Sequence, residues 1–236
     1  MLRPNPAPDS RLVQPALYLG LDLGKERDHT VLALLERRWQ LGEWSHALHA
    51  HPRRPVLVLR DLVRVPLNTP YTEVPRLVRD GLVRYEAAQP WPVSLKTGIS
   101  LVVDAGGVGG GVLDILRNQR EQKYLPPLEL VPVFTSGGLE PNHTAKGTHT
   151  VPRRDLLTAL KALVEARSLL IPHRLALAED WCGELLTLRA HGRSQRRHDD
   201  LAMATSLGVW WAVQQNKALL DPPGSAFLGR ALQLAA

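Results

Sequence analysis

The chain has a single cysteine, Cys182, in 236 residues. One thiol forms no internal disulfide, so packing alone must hold the fold. Within "EDWCGELL" that thiol is expected on a helix, reduced and buried, as befits a reducing cytoplasm. No run approaches the eighteen or so unbroken apolar residues of a membrane helix. The opening "MLRPNPAPDS" lacks the apolar centre of a secretory signal. Nothing reads G-x-x-x-x-G-K-[S/T]: "GVGGG" (107–111) has no lysine, and "GKE" (24–26) has neither the spacing nor the hydroxyl. A P-loop motor is therefore not expected in these residues. There is no internal repeat and no linker-like segment between 16 and 216. The expectation is one domain over 16–216, a flexible proline-rich leader over 1–15 and a C-terminal tail over 217–236.

Hydrophobic residues make up 44% and charged ones 22%, the balance of a soluble globular protein. Short apolar runs predict five strands: "ALYLGLD" (16–22), "TVLALLE" (30–36), "VLVLRDLVRVPL" (56–67), "ISLVVDA" (99–105) and "LELVPVF" (128–134). The first two read as a hairpin, while 37–55 is either a loop or an extension of that hairpin arm. Helical spacing marks 72–88, with Thr72 as N-cap, then 111–120, 151–170, 173–190 and 199–215. The stretch 136–150 reads as a polar loop. A meander followed by β-α-β crossovers gives an α/β fold, a mixed five-stranded sheet flanked by helices.

Two strands end on a carboxylate where an apolar residue would pack better. Asp22 closes "LGLD", and Asp104 closes "LVVD" ahead of a glycine-rich turn. If those strands are parallel neighbours, two bare carboxylates lie side by side and repel, a conflict a divalent cation removes. Mg²⁺ or Mn²⁺ suits such oxygen donors. Asp199 and Asp200 open the last helix, where acids also suit the helix dipole. Steps of four, seven or eight, and eleven from Asp200 reach Ala204, Leu207, Gly208 and Trp211, an inward face. Asp200 is thus the expected ligand, and Asp199 a supporting or capping residue. Asp28, past the hairpin turn, is either an outer ligand or simple turn chemistry. The glycines after Asp104 read better as a sharp turn than as a phosphate cradle.

The formal charge of +6 suits a polyanionic partner. "LRAHGRSQRRHDD" places Arg189, Arg193, Arg196 and Arg197 in one stretch with no acid before Asp199. It is either a solvated loop or a loop that contacts phosphates. Lys146, in the polar loop, is open to the same two readings. His198 is expected to be polar surface rather than a proton carrier.

Five stretches together resemble the nuclease domain of phage terminase large subunits: "YLGLDLGKERDHTVLALLE", "RVPLNTPYTEVPRLV", "LVVDAGGVGGGVLDILR", "VPRRDLLTALKALVEARSLLIP" and "HDDLAMATSLGVWWA". The resemblance covers roughly residues 16–213 and implies a ribonuclease-H-like fold. It implies that Asp22, Asp104 and Asp200, with Asp199, match an acidic set holding two Mg²⁺ or Mn²⁺ ions, with Asp28 matching a further acid. The implied activity is two-metal endonucleolytic hydrolysis of concatemeric viral double-stranded DNA in a bacterial host cytoplasm. Asp22 would bridge the ions, while Asp104 and Asp200 would hold one each. Arg193, Arg196, Arg197 and Lys146 would contact DNA. The implied partners are a separate packaging ATPase, a small terminase subunit or a portal, with no membrane. The rivals are an actin-like or sugar-kinase-like ATPase, suggested by "GLDLG" and "DAGGVGGG", a Holliday-junction resolvase, and a catalytically silent DNA-binding module.

Overall fold

A computed structural model of the chain describes residues 15–46, 49–137, 142–144, 147–188 and 199–221. All five expected strands are present: β1 (Ala16–Asp22), β2 (Val31–Leu41), β3 (Arg53–Arg64), β4 (Ile99–Asp104) and β5 (Glu129–Ser136). Three short strands widen the sheet: β6 (Asn142–Thr144), β7 (Thr148–Pro152) and β8 (Leu169–Leu170). The order is β6-β7-β5-β4-β1-β2-β3-β8, eight strands among the described residues rather than five. β2 runs antiparallel to β1 and β3, and β4 lies parallel to β1. The 37–55 stretch resolves in favour of the extension: β2 and β3 stay paired as far as Leu41 and Arg53.

Strand alternation sorts side chains into two cores. Leu17, Leu19 and Leu21 of β1, with Leu101 and Val103 of β4, pack beneath α1 (Val74–Ala87) and α2 (Gly109–Glu121). Tyr18, Val102, Val131 and Val133 face the other way, toward α3 (Arg153–Glu165), α4 (Ala178–Leu188) and α5 (Asp200–Gln215). Asp22 and Asp104 follow Gly20 and Val102 by two residues, so they belong to the α5 side.

α5 is the centre of that layer. Every residue from Asp200 to Val213 is buried. It rests on β1 with one side, and α3 and α4 cover the other. The expected contrast between the inward Asp200 face and the less clearly inward face of Asp199 (Met203, Ser206, Trp210) therefore disappears below the first turn: these residues are enclosed along with Ala204 and Leu207. Trp181 of α4 donates from Nε1 to Thr205 Oγ1 at 3.0 Å and ties the two helices together. A short 3₁₀ turn, Lys217–Leu220, follows α5 and buries Leu219.

Two local expectations are corrected. Thr72 does not cap α1. It lies in a 3₁₀ turn, Tyr71–Glu73, so α1 starts at Val74 with Pro75 in its first turn and no side-chain cap. Cys182 is on α4 as expected but is exposed, because the helix turns Trp181 and Glu184 inward instead. Among the described residues no helix is long and apolar enough to cross a membrane.

Candidate metal centre

Register brings the first two acids together. β1 pairs in parallel with β4, Leu21 opposite Val103, so Asp22 and Asp104 end neighbouring strands at the same level. The turn after Asp104 is tight. Gly106 N–H donates back to Asp104 Oδ1 at 2.9 Å, and Gly107 adopts φ +56°. A Cβ on Gly109 would lie 2.4 Å from the Asp104 carbonyl oxygen, so α2 begins hard against the strand end. These glycines thus form the expected turn. Thr135 of β5 donates to Asp104 Oδ2 at 3.0 Å.

Helix crossing brings the third acid. A Cβ on Gly20 would stand 1.8 Å from the Ala204 carbonyl oxygen, and one on Gly208 would lie 3.4 Å from both Gly20 N and Tyr18 O. As α5 advances from Ala204 to Gly208, β1 beneath it runs back from Gly20 to Tyr18. In the opposite sense, one turn back from Ala204 is Asp200, and two residues on from Gly20 is Asp22. Those steps are about 6 Å of helix and about 6.6 Å of strand, so the close crossing delivers Asp200 to the end of β1.

The electrostatics agree with this placement. Asp22 is partly exposed yet ringed by protein. Burial first, then the charges of Asp104, Asp200 and Asp199, push its carboxyl well above the usual range, and Arg153 opposes them. Asp200 is 4% exposed, and its Oδ2 accepts from His29 N–H at 3.1 Å. Asp199, just before α5, makes no side-chain cap. Its carboxylate pairs with Arg153 at the start of α3. The expected alternative of Asp199 as a capping residue is thereby corrected: the Arg153 guanidinium draws the carboxylate away from the helix amides. Asp28 is exposed in the turn between β1 and β2. That turn is closed by Thr30, which donates to Gly24 O at 2.7 Å and accepts from Gly24 N at 3.1 Å.

Asp22, Asp104, Asp199 and Asp200 therefore share one end of the sheet on the α5 side. They do not form a ready-made cage: among the described residues no three His, Cys, Asp or Glu side chains are grouped so as to hold a cation as they stand. The Asp104 oxygens are turned to Gly106 and Thr135, and Asp200 Oδ2 to His29. Each carboxylate oxygen has two lone pairs, so these bonds do not exhaust the donors. The chemistry of the set fits Mg²⁺ or Mn²⁺: hard oxygens around a partly desolvated acid whose charge is opposed by its neighbours.

Two residues with no sequence signal join the site. Arg153 faces Asp199 and Asp22, and its "VPRRD" context reads as an ordinary helix start. Glu184, 8% exposed, is pushed up to about 7 by burial. The Ala202 N–H and the Arg64 guanidinium oppose that rise, and Asp200 adds to it. Arg193, Arg196, Arg197, Lys146, Arg189 and His198 lie outside the described residues.

A five-strand core ordered β5-β4-β1-β2-β3, with β2 antiparallel and acids at the ends of β1 and β4, defines a ribonuclease-H-like fold. No protein-family model and no curated protein matches the chain. Among solved structures it is similar to the human cytomegalovirus terminase nuclease domain, with TM-score 0.51, 12% identity, and 88% of this chain and 87% of that one covered. The manganese-soaked form of that domain aligns with TM-score 0.47 and 12% identity over 84% and 81%. The large terminase nuclease of thermophilic phage G20c with bound magnesium aligns with TM-score 0.42 and 18% identity over 83% and 81%. The likeness in fold rests on the first of these.

Proposed function

We propose that the chain is a divalent-metal-dependent DNA endonuclease of the terminase large-subunit type. The observation that carries this reading is the partly exposed Asp22 carboxylate, ringed by protein and set among the charges of Asp104, Asp200 and Asp199 at one end of a ribonuclease-H-like sheet. Asp22, central between β4 and α5, would hold the cations together with Asp104 and Asp200 on either side. Asp199 supports the site through Arg153, and Asp28 is an outer candidate. Two Mg²⁺ or Mn²⁺ ions, when bound, would activate the attacking water and stabilise the leaving 3′ oxygen. The residues' own work is to present oxygens and to supply cationic contacts to the flanking phosphates. Arg153, 41% exposed at its side chain, is available for that task beside the acids. Arg193, Arg196, Arg197 and Lys146 are proposed for it from their sequence context. Such contacts give affinity without base discrimination.

The proposed substrate is double-stranded, concatemeric viral DNA in a bacterial cytoplasm. A separate packaging ATPase, a small terminase subunit or a portal are the partners this reading calls for. Supercoiled plasmid incubated with the purified protein and Mn²⁺ should yield nicked and linear product, and Asp104→Ala should abolish both. ATP hydrolysis with intact plasmid would overturn the reading in favour of an actin-like ATPase. Cutting confined to four-way junctions would favour a resolvase.

A further inference from the structure

Asp200 is enclosed by a circuit of contacts that runs through four elements. His29 N–H donates to its Oδ2, and His29 Nδ1 lies 2.8 Å from Val65 O. Arg64, the next residue back at the end of β3, donates from Nη2 to Glu184 Oε1 at 2.5 Å. Glu184 Oε2 accepts from Ala202 N–H at 3.0 Å, two residues beyond Asp200, and the circuit closes on α5.

The first amides of a helix have no intrahelical acceptor and need one when buried. The residue that should provide it, Asp199, is drawn to Arg153 and makes no cap. Glu184 provides it from α4 instead. A buried carboxylate is costly unless both oxygens find donors. Glu184 has them, one from the α5 backbone and one from a β3 guanidinium that also reaches Asp180 at 3.7 Å. A cap taken from the residue just before the helix would satisfy the amides equally well. This one also fastens the α5 N-terminus to α4 and β3.

We infer that Glu184, held by Arg64, is a positioning residue for the metal centre: it caps α5 from outside and fixes where Asp200 meets Asp22. The role assigned to Glu184 is that of a cap rather than a ligand: one oxygen accepts from the α5 backbone and the other from Arg64. The inference rests on the nuclease reading for its metal, though the cap itself does not.

The test is a Mn²⁺ titration by calorimetry on the full chain, wild type beside Glu184→Ala, Glu184→Gln and Arg64→Lys, with near-ultraviolet circular dichroism to confirm folding. Outer residues that orient ligands change metal affinity by about 10–100-fold. Glu184→Ala should weaken Mn²⁺ by that range. Glu184→Gln, which retains an acceptor for Ala202, should weaken it less, and plasmid nicking by either variant should recover at raised Mn²⁺. If Glu184→Ala does not fold, Glu184→Gln and Arg64→Lys decide the matter through the same weakening. Unchanged Mn²⁺ affinity in the folded variants, with only a lower melting temperature, would overturn the inference and leave the nuclease reading intact. A wild type that takes up no Mn²⁺ would overturn both.

Discussion

Gly20 of β1 and Ala204 of α5 meet backbone to backbone, and a methyl group on the glycine would stand 1.8 Å from the alanine's carbonyl oxygen. The obstructing atom belongs to a buried helix and cannot swing aside. Gly20→Ala must therefore lift α5 from the sheet, at a cost of about 1–3 kcal/mol by the usual scale of overpacking. Urea denaturation should show that loss, and Mn²⁺-dependent nicking should fall with it because Asp200 moves too. Gly110→Ala is the contrast: nothing lies within 4 Å of its added methyl, and alanine in α2 should stabilise by about 0.5–1 kcal/mol.

Asp22→Asn should raise the melting temperature at neutral pH in EDTA while abolishing cleavage. The carboxyl is pushed well above 3.8 in the folded protein by burial and by the neighbouring acids. The folded state therefore holds that proton more tightly than the unfolded chain does. Stability is fully present below the unfolded value and is lost as pH rises toward the folded one. Asparagine removes the loss. Mn²⁺ should restore the wild type and leave Asp22→Asn unmoved, as read by thermal melts with and without metal.

Glu184 gives a second pH dependence of the same sign in a defined window. Its carboxyl rises from 4.5 to about 7, so stability should decline between those values and level off above them. At 1.36 kcal/mol per unit the decline is roughly 3 kcal/mol. Chemical denaturation from pH 4 to pH 8 should show a shallower slope for Glu184→Gln than for the wild type. An equal slope would mean that the Arg64 pairing outweighs burial.

Thr135→Val should weaken Mn²⁺ binding by about 10-fold or more with little change in the fold. The substitution keeps the side chain's shape and removes the hydroxyl that donates to Asp104 Oδ2 at 3.0 Å. Calorimetric titration of the variant reads this directly.

Much of this architecture is legible in the residues. β1 to β5 are written as compact apolar runs, and the carboxylates ending β1 and β4 interrupt them where packing alone would not. β6, β7 and β8 are not legible. They lie in polar or very short stretches, and partners supply their order: β7 is held between β5 and β6, and β8 along β3. The burial of Cys182 and the capping alternative for Asp199 fail for a common reason. Each local pattern allowed two orientations, and a distant residue chose between them: Trp181 packing against α5 in one case, Arg153 in the other. Glu184 in "EDWCGELL" looks like one more surface charge, and nothing nearby in the sequence announces that Arg64 and Ala202 will enclose it.

α5 joins the structure as the keystone of its layer, and it arrives late. A ribosome that has released everything up to residue 198 has already made the strands that carry Asp22 and Asp104, yet the helix that carries Asp200 and covers Gly20 has not been made. A nascent domain thus holds two of its acids without the third, and on the proposed reading the cutting activity is withheld until α5 has been made.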